Sequence, residues 1–343
     1  DDWMGQPLSV AERIGRLVGA PEGTTVLGDT LTLKIYQALA SALEMRPGRR
    51  VILSDRGTFP TDLYMAEGLI RQLGQGHELR LVDHQDIAAE IGEDVAAVLL
   101  THVDYRTGRM YDMAAVTELA HASGCVMIWD LAHSAGAVPV NLAACRPEFA
   151  AGCTYKYLNG GPGAPAFICV RPDIIEQVEP ALAGWLGHAA PFAFELSYRP
   201  APSIERFRIG TPPVLQVAAL DAALDAWEGV DMAELRAASI ALGDQFIREV
   251  EAKIPGLQLV SPRNGSDRGS QVSFAFEDGY AAMQALIARG VIGDFRAPNI
   301  MRFGFTPLFI GPEDVSAAVD IMANVMLARL WDDPKYKATN RVT

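Results

Sequence analysis

No apolar run in this 343-residue chain reaches the roughly 18 residues that a membrane-spanning helix needs. The opening residues do not read as a signal peptide either, so the expectation is a cytoplasmic location with no membrane partner. Basic residues are in short supply: 29 Lys and Arg stand against 42 Asp and Glu, for a formal net charge of -13. Nucleic-acid binding wants a basic face, and that class of partner is not expected. An anionic cofactor is not excluded, because a helix N-terminus or a few local cations can hold phosphate inside an acidic protein. Cysteine is scarce and carries no CxxC spacing: Cys125, Cys145, Cys153 and Cys169 fall in or near apolar stretches. They read as buried thiols in a reducing compartment, with no metal site. Internal repeats and low-complexity tracts are missing as well. The chain does not begin with Met, and further upstream residues are expected.

What is present is a well-packed globular composition, 50% hydrophobic and 21% charged, with length enough for about two domains. Short apolar strands (around TTVLGDT, RRVILSD, ELRLVD, AAVLLTHV, CVMIW, the approach to residue 154, and APAFICV) alternate with helical segments. That alternation predicts an α/β fold with a mostly parallel seven-stranded sheet and right-handed crossovers. Residues 180–213 are rich in proline and lack regular periodicity, as functional or interface segments often do. Beyond them MAELRAASIALGDQFIREVEAKI has the spacing of a long amphipathic helix, and several further strands follow. A large domain over residues 1–229 and a small α+β domain over residues 230–343 are the expectation.

Within that frame the stretch GCTYKYLNGGPGAPAF centres Lys156 between two tyrosines, after an apolar strand and before a glycine-rich bend. Partial burial there would favour an amine able to form a Schiff base, although Lys156 alone reads equally well as structural. Upstream, CVMIWDLAH delivers Asp130 at a strand end and His133 three residues later. A carboxylate ending one strand and a lysine following the next is the pair a pyridoxal-phosphate site requires. Thr30 or Asp29 can cap the helix LTLKIYQALASALEM, whose first turn makes Leu31 and Thr32 candidate phosphate ligands; simple capping is the plainer alternative. Pro60 opens another helix with Phe59 before it and Asp62 in its first turn, placed to face a cofactor or merely to staple the helix. Phe59, Thr101, Asp130, His133 and Lys156 all fall at or just past strand ends, where ligands collect in such sheets. His102 and Asp104 read as shaping the turn before YRTGRM.

With Phe59-Pro-Thr-Asp62, Asp130-Leu-Ala-His133, Tyr155-Lys156, Gly184-Trp185-Leu-Gly-His188 and Arg302 in one order, the chain resembles the kynureninase family over essentially its whole length. The resemblance implies a pyridoxal-phosphate enzyme of fold type I, a hydrolase of carbon–carbon bonds. It would cleave L-kynurenine at Cβ–Cγ to anthranilate and L-alanine, in tryptophan catabolism along the kynurenine pathway toward NAD biosynthesis. It also implies roles. Lys156 would carry the cofactor and, once displaced, shuttle the α-proton. Asp130 would pair with the pyridine nitrogen and Phe59 would stack on the ring. Leu31, Thr32 and Tyr155 would hold the phosphate, with Tyr155 also assisting later proton movements. Asp62, Thr101 and His133 would line the cofactor, and Arg302 would clamp the substrate carboxylate. Trp185 and Thr211 would reach a neighbouring subunit's phosphate, which makes a homodimer with shared sites the expected assembly. Gly210-Thr211 is similar to the bacterial form and favours kynurenine over 3-hydroxykynurenine. Members usually carry more residues at the N-terminus, and many have Asn where this chain has Lys34, with little consequence expected.

The rival readings share the cofactor. A cysteine desulfurase needs a reactive cysteine on a mobile loop, whereas Cys169 lies inside an apolar strand and the other cysteines precede Lys156 in the sheet core. An aminotransferase of the same fold and a non-catalytic pyridoxal-phosphate-binding module are the others, and the latter would be favoured by loss of Lys156, Asp130 or Arg302.

Overall fold

The computed structural model describes residues 2–338, which form two compact units. The first takes the chain up to His102 together with Tyr111–Gly229, and the second takes Val103–Met110 with the chain from Val230 onward.

In the first unit α1 (Asp2–Leu17) leads to β1 (Thr25–Leu27), α2 (Leu31–Met45), β2 (Val51–Asp55), α3 (Pro60–Leu73) and β3 (Glu78–Val82). There follow β4 (Val95–Thr101), α4 (Met113–Ala122), β5 (Val126–Asp130), β6 (Phe149–Gly152), β7 (Phe167–Val170) and α5 (Val214–Leu224). The strands make one 7-stranded sheet in the order β1-β7-β6-β5-β4-β2-β3. Pairings from β3 through β6 are parallel, and β7 and β1 close one edge antiparallel. β4 is buried at every position, as a central strand covered on both faces must be, and it accordingly reads VAAVLLT without alternation.

The helix α2 shows why sequence spacing became structure here. Ile35, Ala38, Leu39, Ala42 and Leu43 recur every three or four residues and are all buried in the core beside Ile52, Leu99, Ile128 and Phe149. Each large apolar side chain in that stripe contributes on the order of 1.5–3 kcal/mol by leaving water. Thr30 supplies the N-cap, its side-chain oxygen accepting from Leu33 N–H at 3.4 Å. Asp29 just before it takes a left-handed backbone, φ 57°, to turn the chain from β1 into the helix.

The second unit contains α6 (Met232–Lys253), β8 (Gln258–Leu259), β9 (Gln271–Ala275), α7 (Gly279–Ile287), β10 (Asp294–Arg296), β11 (Ile300–Gly304) and α8 (Pro312–Leu327). Its 4-stranded antiparallel sheet, ordered β10-β11-β9-β8, packs on a core of Phe246, Phe274, Met283, Met301, Phe303 and Met322. A break at 229/230 left residues 103–110 in the large domain, and the structure assigns that hairpin to the second unit instead. The reason is hydrogen bonding: Ser273 Oγ donates to Arg106 C=O at 2.6 Å and Gly269 N–H to Gly108 C=O at 2.7 Å. Asp104 does shape the turn, accepting from the N–H groups of Arg106 and Thr107 at 2.8 and 2.6 Å. Residues 339–343 of the expected small domain lie outside the described residues.

Residues 180–213 contain only short 3₁₀ turns, held in the first unit by close backbone approach. A Cβ at Gly184 would overlap the backbone of Ile209, and one at Gly187 would stand 2.7 Å from Arg208 C=O. Gly184→Ala should therefore destabilise the protein by roughly 1–3 kcal/mol, the usual cost of forcing an extra methyl into packed backbone. Urea unfolding followed by fluorescence measures it, and an unchanged midpoint would show that the segment yields easily.

Candidate active site

The parallel register of β4 and β5 sets Thr101 directly beside Asp130, both at carboxyl ends of their strands. Thr101 Oγ1 donates to Asp130 Oδ2 at 3.3 Å, and Ala132 N–H donates to Asp130 Oδ1 at 2.8 Å. The backbone N–H of Phe59 lies 3.4 Å from Thr101 Oγ1, which ties the start of α3 to the same strand ends. Lys156 follows β6 in a bend closed by Asn159, at φ 63°, and by Thr154 Oγ1 donating to Pro165 C=O at 2.6 Å. Lys156 Nζ then stands 3.1 Å from His133 Nε2 and lies over two rings, 5.8 Å from the centre of Phe59 and 5.5 Å from that of Tyr155.

These groups converge on one open cleft, lined by Leu31, Thr32, Phe59, Thr61, Asp62, Asp130, Ala132, His133, Tyr155 and Lys156. Thr101 acts from beneath, through Asp130. Thr61 and Ala132 were not singled out from the sequence, although each lies inside a motif that was. The first-turn N–H groups of α2, at Leu31 and Thr32, have no acceptor within their helix and carry its positive dipole end.

Charge is what the cleft must reconcile. Asp130 is 1% exposed and Asp62 2% exposed, and their carboxyl groups hydrogen-bond to each other, which requires a proton between them. Burial is the largest cause raising both above the usual carboxylate range; the neighbouring Asp130 charge pushes Asp62 further up, while Lys156 opposes the shift at each. The proton is favoured on Asp62, where the Asp130 charge adds to burial, over Asp130, where the hydrogen bond from Asp62 opposes the rise. Asp62 Oδ2 remains buried without a hydrogen-bond partner.

The remaining predicted residues are not among those that line the cleft. Trp185 and Thr211 are exposed on the irregular segment, Trp185 edge-on to Phe192 with ring centres 5.6 Å apart. Arg302 belongs to the second unit on β11. Its Nε donates to Asp294 Oδ1 at 2.8 Å, Nη2 to Asp294 Oδ2, and Nη1 to Tyr105 C=O. Nothing in the sequence pattern near Asp294 announced that partnership; only the antiparallel register of β10 and β11, Asp294 opposite Arg302, reveals it.

With this geometry in hand, similarity to known proteins becomes informative. A kynureninase from Pseudomonas fluorescens is 46% identical over 99% of this chain and 84% of its own length. One from Burkholderia pseudomallei strain 1106a is 45% identical over the same shares. The chain belongs to the kynureninase family. The model of the kynureninase C-terminal domain matches residues 235–322, and that of the DegT/DnrJ/EryC1/StrS aminotransferase family matches residues 12–145. Among solved structures, a cysteine desulfurase from Thermococcus onnurineus NA1 superposes with a TM-score of 0.81 at 18% identity, covering 95% of this chain and 85% of that one. The cysteine desulfurase CsdA from Escherichia coli gives 0.79 at 19%, over 95% and 85%. Those likenesses establish the fold-type I architecture. The thiol chemistry of a desulfurase is not supported, because burial pushes Cys153 up to about 11 and Cys169 up to about 12, far from the reactive thiolate range.

The shared proton has a measurable consequence in the cofactor-free protein. Unfolded Asp62 releases its proton near pH 4, whereas folded Asp62 holds it to well above that. The folded state therefore binds the extra proton, and stability falls as pH rises from about 4 toward the folded value. Asp62→Asn keeps a donor to Asp130 without the titration. Relative to its parent it should gain on the order of 1–3 kcal/mol between pH 4 and 8. Parallel urea unfolding curves over that range test this, and a constant difference between the two proteins would contradict the shared proton.

Proposed function

We propose that this protein hydrolyses L-kynurenine at its Cβ–Cγ bond to anthranilate and L-alanine, using pyridoxal phosphate. The observation that carries the reading is the convergence of Lys156, buried Asp130 and the face of Phe59 on one cleft, in a chain 46% identical to a kynureninase over 99% of its length. The residues present fit the cofactor. Asp62 Oδ2 lacks a partner, Asp130 is an anion with too few cations, and a helix N-terminus opens on the same cleft. Bound there, pyridoxal phosphate supplies a protonated ring that withdraws electrons from the substrate's α- and β-carbons.

Each protein group then has a task. Lys156 Nζ holds the cofactor covalently, and as a free amine it moves the α-proton, with His133 3.1 Å away to orient it. Asp130, kept anionic by the proton on Asp62 and steadied by Thr101 and Ala132, accepts from the ring N–H. Phe59 covers one ring face. Leu31 and Thr32 donate to phosphate, joined by the hydroxyl of Tyr155, which also passes protons in the later steps. Arg302 holds the substrate carboxylate through the N–H groups that Asp294 and Tyr105 leave over, one on each terminal nitrogen. A homodimer belongs to this reading. Trp185, Phe192, Phe194 and Leu196 are exposed together on one segment, and Trp185 and Thr211 would serve the neighbouring subunit's phosphate. Kynurenine is preferred over its 3-hydroxy derivative on the strength of Gly210-Thr211. No helix among the described residues is long and apolar enough to cross a membrane. The buried free thiols of Cys125, Cys153 and Cys169 support a reducing, cytoplasmic setting.

Anthranilate release from kynurenine and 3-hydroxykynurenine is the direct test. Lys156→Ala should abolish it and should also lose the pyridoxyl mass adduct that borohydride leaves on the Lys156 peptide of the parent. Turnover within tenfold of the parent would remove Lys156 from its role. Mixing Lys156→Ala with Trp185→Ala subunits should restore one intact site per heterodimer; no recovery from two folded, cofactor-binding parents would refute shared sites. Arg302→Lys keeps the charge and loses the planar fork. It should lower kcat/KM about ten- to hundredfold with the adduct intact. Unchanged kinetics would place the carboxylate elsewhere.

A further inference from the structure

Lys34 is a lysine with no exposed surface, on the helix whose first turn opens into the cleft. A side chain in a helix leans toward the N-terminus. Lys34 does so far enough for Nζ to stand 3.4 Å from Asp29 Oδ2, a residue that precedes the N-cap. The ammonium is therefore held on the buried flank of the helix, against a residue that precedes its first turn. Its other partners are Gln37 Oε1 at 3.1 Å and Phe207 C=O at 2.9 Å.

The surroundings are short of negative charge. Arg208, 6% exposed, is close enough to repel Lys34, and its Nη2 is buried without a hydrogen-bond partner. Asp29 is the carboxylate on Lys34, while Glu205 Oε2 takes Arg208 Nη1 at 2.8 Å from a part-exposed position. Burial pulls the Lys34 ammonium down to about 8, with Asp29 opposing and Arg208 adding to the pull, so the group remains charged at neutral pH. A buried cation with a costly desolvation and one partly exposed counter-ion wants a further anion nearby.

We propose that Lys34 supplies buried positive charge that balances the cofactor phosphate at the first turn of α2, acting through the helix rather than by contact. This rests on the placement of the phosphate at Leu31 and Thr32. It also reverses the expectation that Lys34 has little consequence. In such a site the helix dipole gives direction and about half a charge, and Lys34 adds a further one, partly offset by Asp29, that salt screens weakly.

Pyridoxal phosphate and pyridoxal, which differ only in the phosphate, separate this role from a structural one. Each is titrated into the cofactor-free full-length protein by equilibrium dialysis at pH 7. The parent should bind the phosphorylated form far more tightly. Lys34→Met fills the same volume without the charge. It should weaken pyridoxal phosphate on the order of tenfold, a loss appropriate to one partly screened charge within about 10 Å, and leave pyridoxal unchanged. Asp29→Asn keeps a residue that tolerates the left-handed turn and removes the counter-charge, so it should tighten pyridoxal phosphate severalfold. Equal weakening of both ligands in Lys34→Met would mean a packing role and overturn the inference, as would an unchanged ratio. If Lys34→Met does not fold, Asp29→Asn decides alone: no change or a loss of affinity overturns it. A parent that does not discriminate the two ligands would refute the phosphate position itself, and the inference with it.

Discussion

Two buried carboxyl groups and one ammonium meet at one open cleft, and most of the first unit is arranged to make that tolerable. A single buried carboxylate would take up a proton and lose its value as a partner for a cation. Here the proton is confined to Asp62, and Asp130 is left anionic by three converging influences: the Thr101 hydroxyl, the Ala132 N–H and the Lys156 charge. Each is delivered by backbone geometry. Thr101 arrives through parallel register, Ala132 through the turn after β5, and Lys156 through the bend after β6. Displacing any strand by one residue would send its side chains to the opposite face and leave the carboxylate without support.

This dependence explains which parts were legible in the sequence. Strand ends were legible, because β4, β5 and β6 are short apolar runs broken by polar residues, and ligands gather where parallel strands stop. Phe59, Thr101, Asp130, His133 and Lys156 could therefore be grouped from the sequence. What could not be read was pairwise and long-range. The proton shared by Asp62 and Asp130 depends on contact between residues 68 positions apart, from the N-terminus of a helix and the end of a strand. The hairpin at 103–110 reads as a simple turn, and its partners Ser273 and Gly269 come far later. Asp294 carries no signal of its own in the sequence, and only the β10–β11 register sets it opposite Arg302.

The desulfurase likeness shows the limit of architecture as an argument about chemistry. At 18% identity the backbone superposes over 95% of the chain, so layer order and strand order are shared. The thiols are not placed for that chemistry. Cys169 is held in β7, 3.3 Å from the Thr25 hydroxyl, and Cys153 is buried beside the lysine bend. A thiol in such surroundings resists ionisation more strongly than a solvated one, and an un-ionised thiol is a poor nucleophile. Function thus follows from what the loops place around Lys156, not from the sheet beneath it.

An acidic chain that holds an anionic cofactor must separate its charges in space. The formal net charge is -13, yet the wall of the cleft that would receive phosphate carries a helix N-terminus and, behind it, buried Lys34 and Arg208. Mobile surface lysines could attract phosphate as well, but salt screens them and their flexibility costs entropy on binding. A buried cation fixed by Gln37 and Phe207 avoids both losses at the expense of desolvation. That expense is smallest when a permanent anion sits nearby, which ties the choice of a buried lysine at position 34 to the presence of a tightly held phosphate.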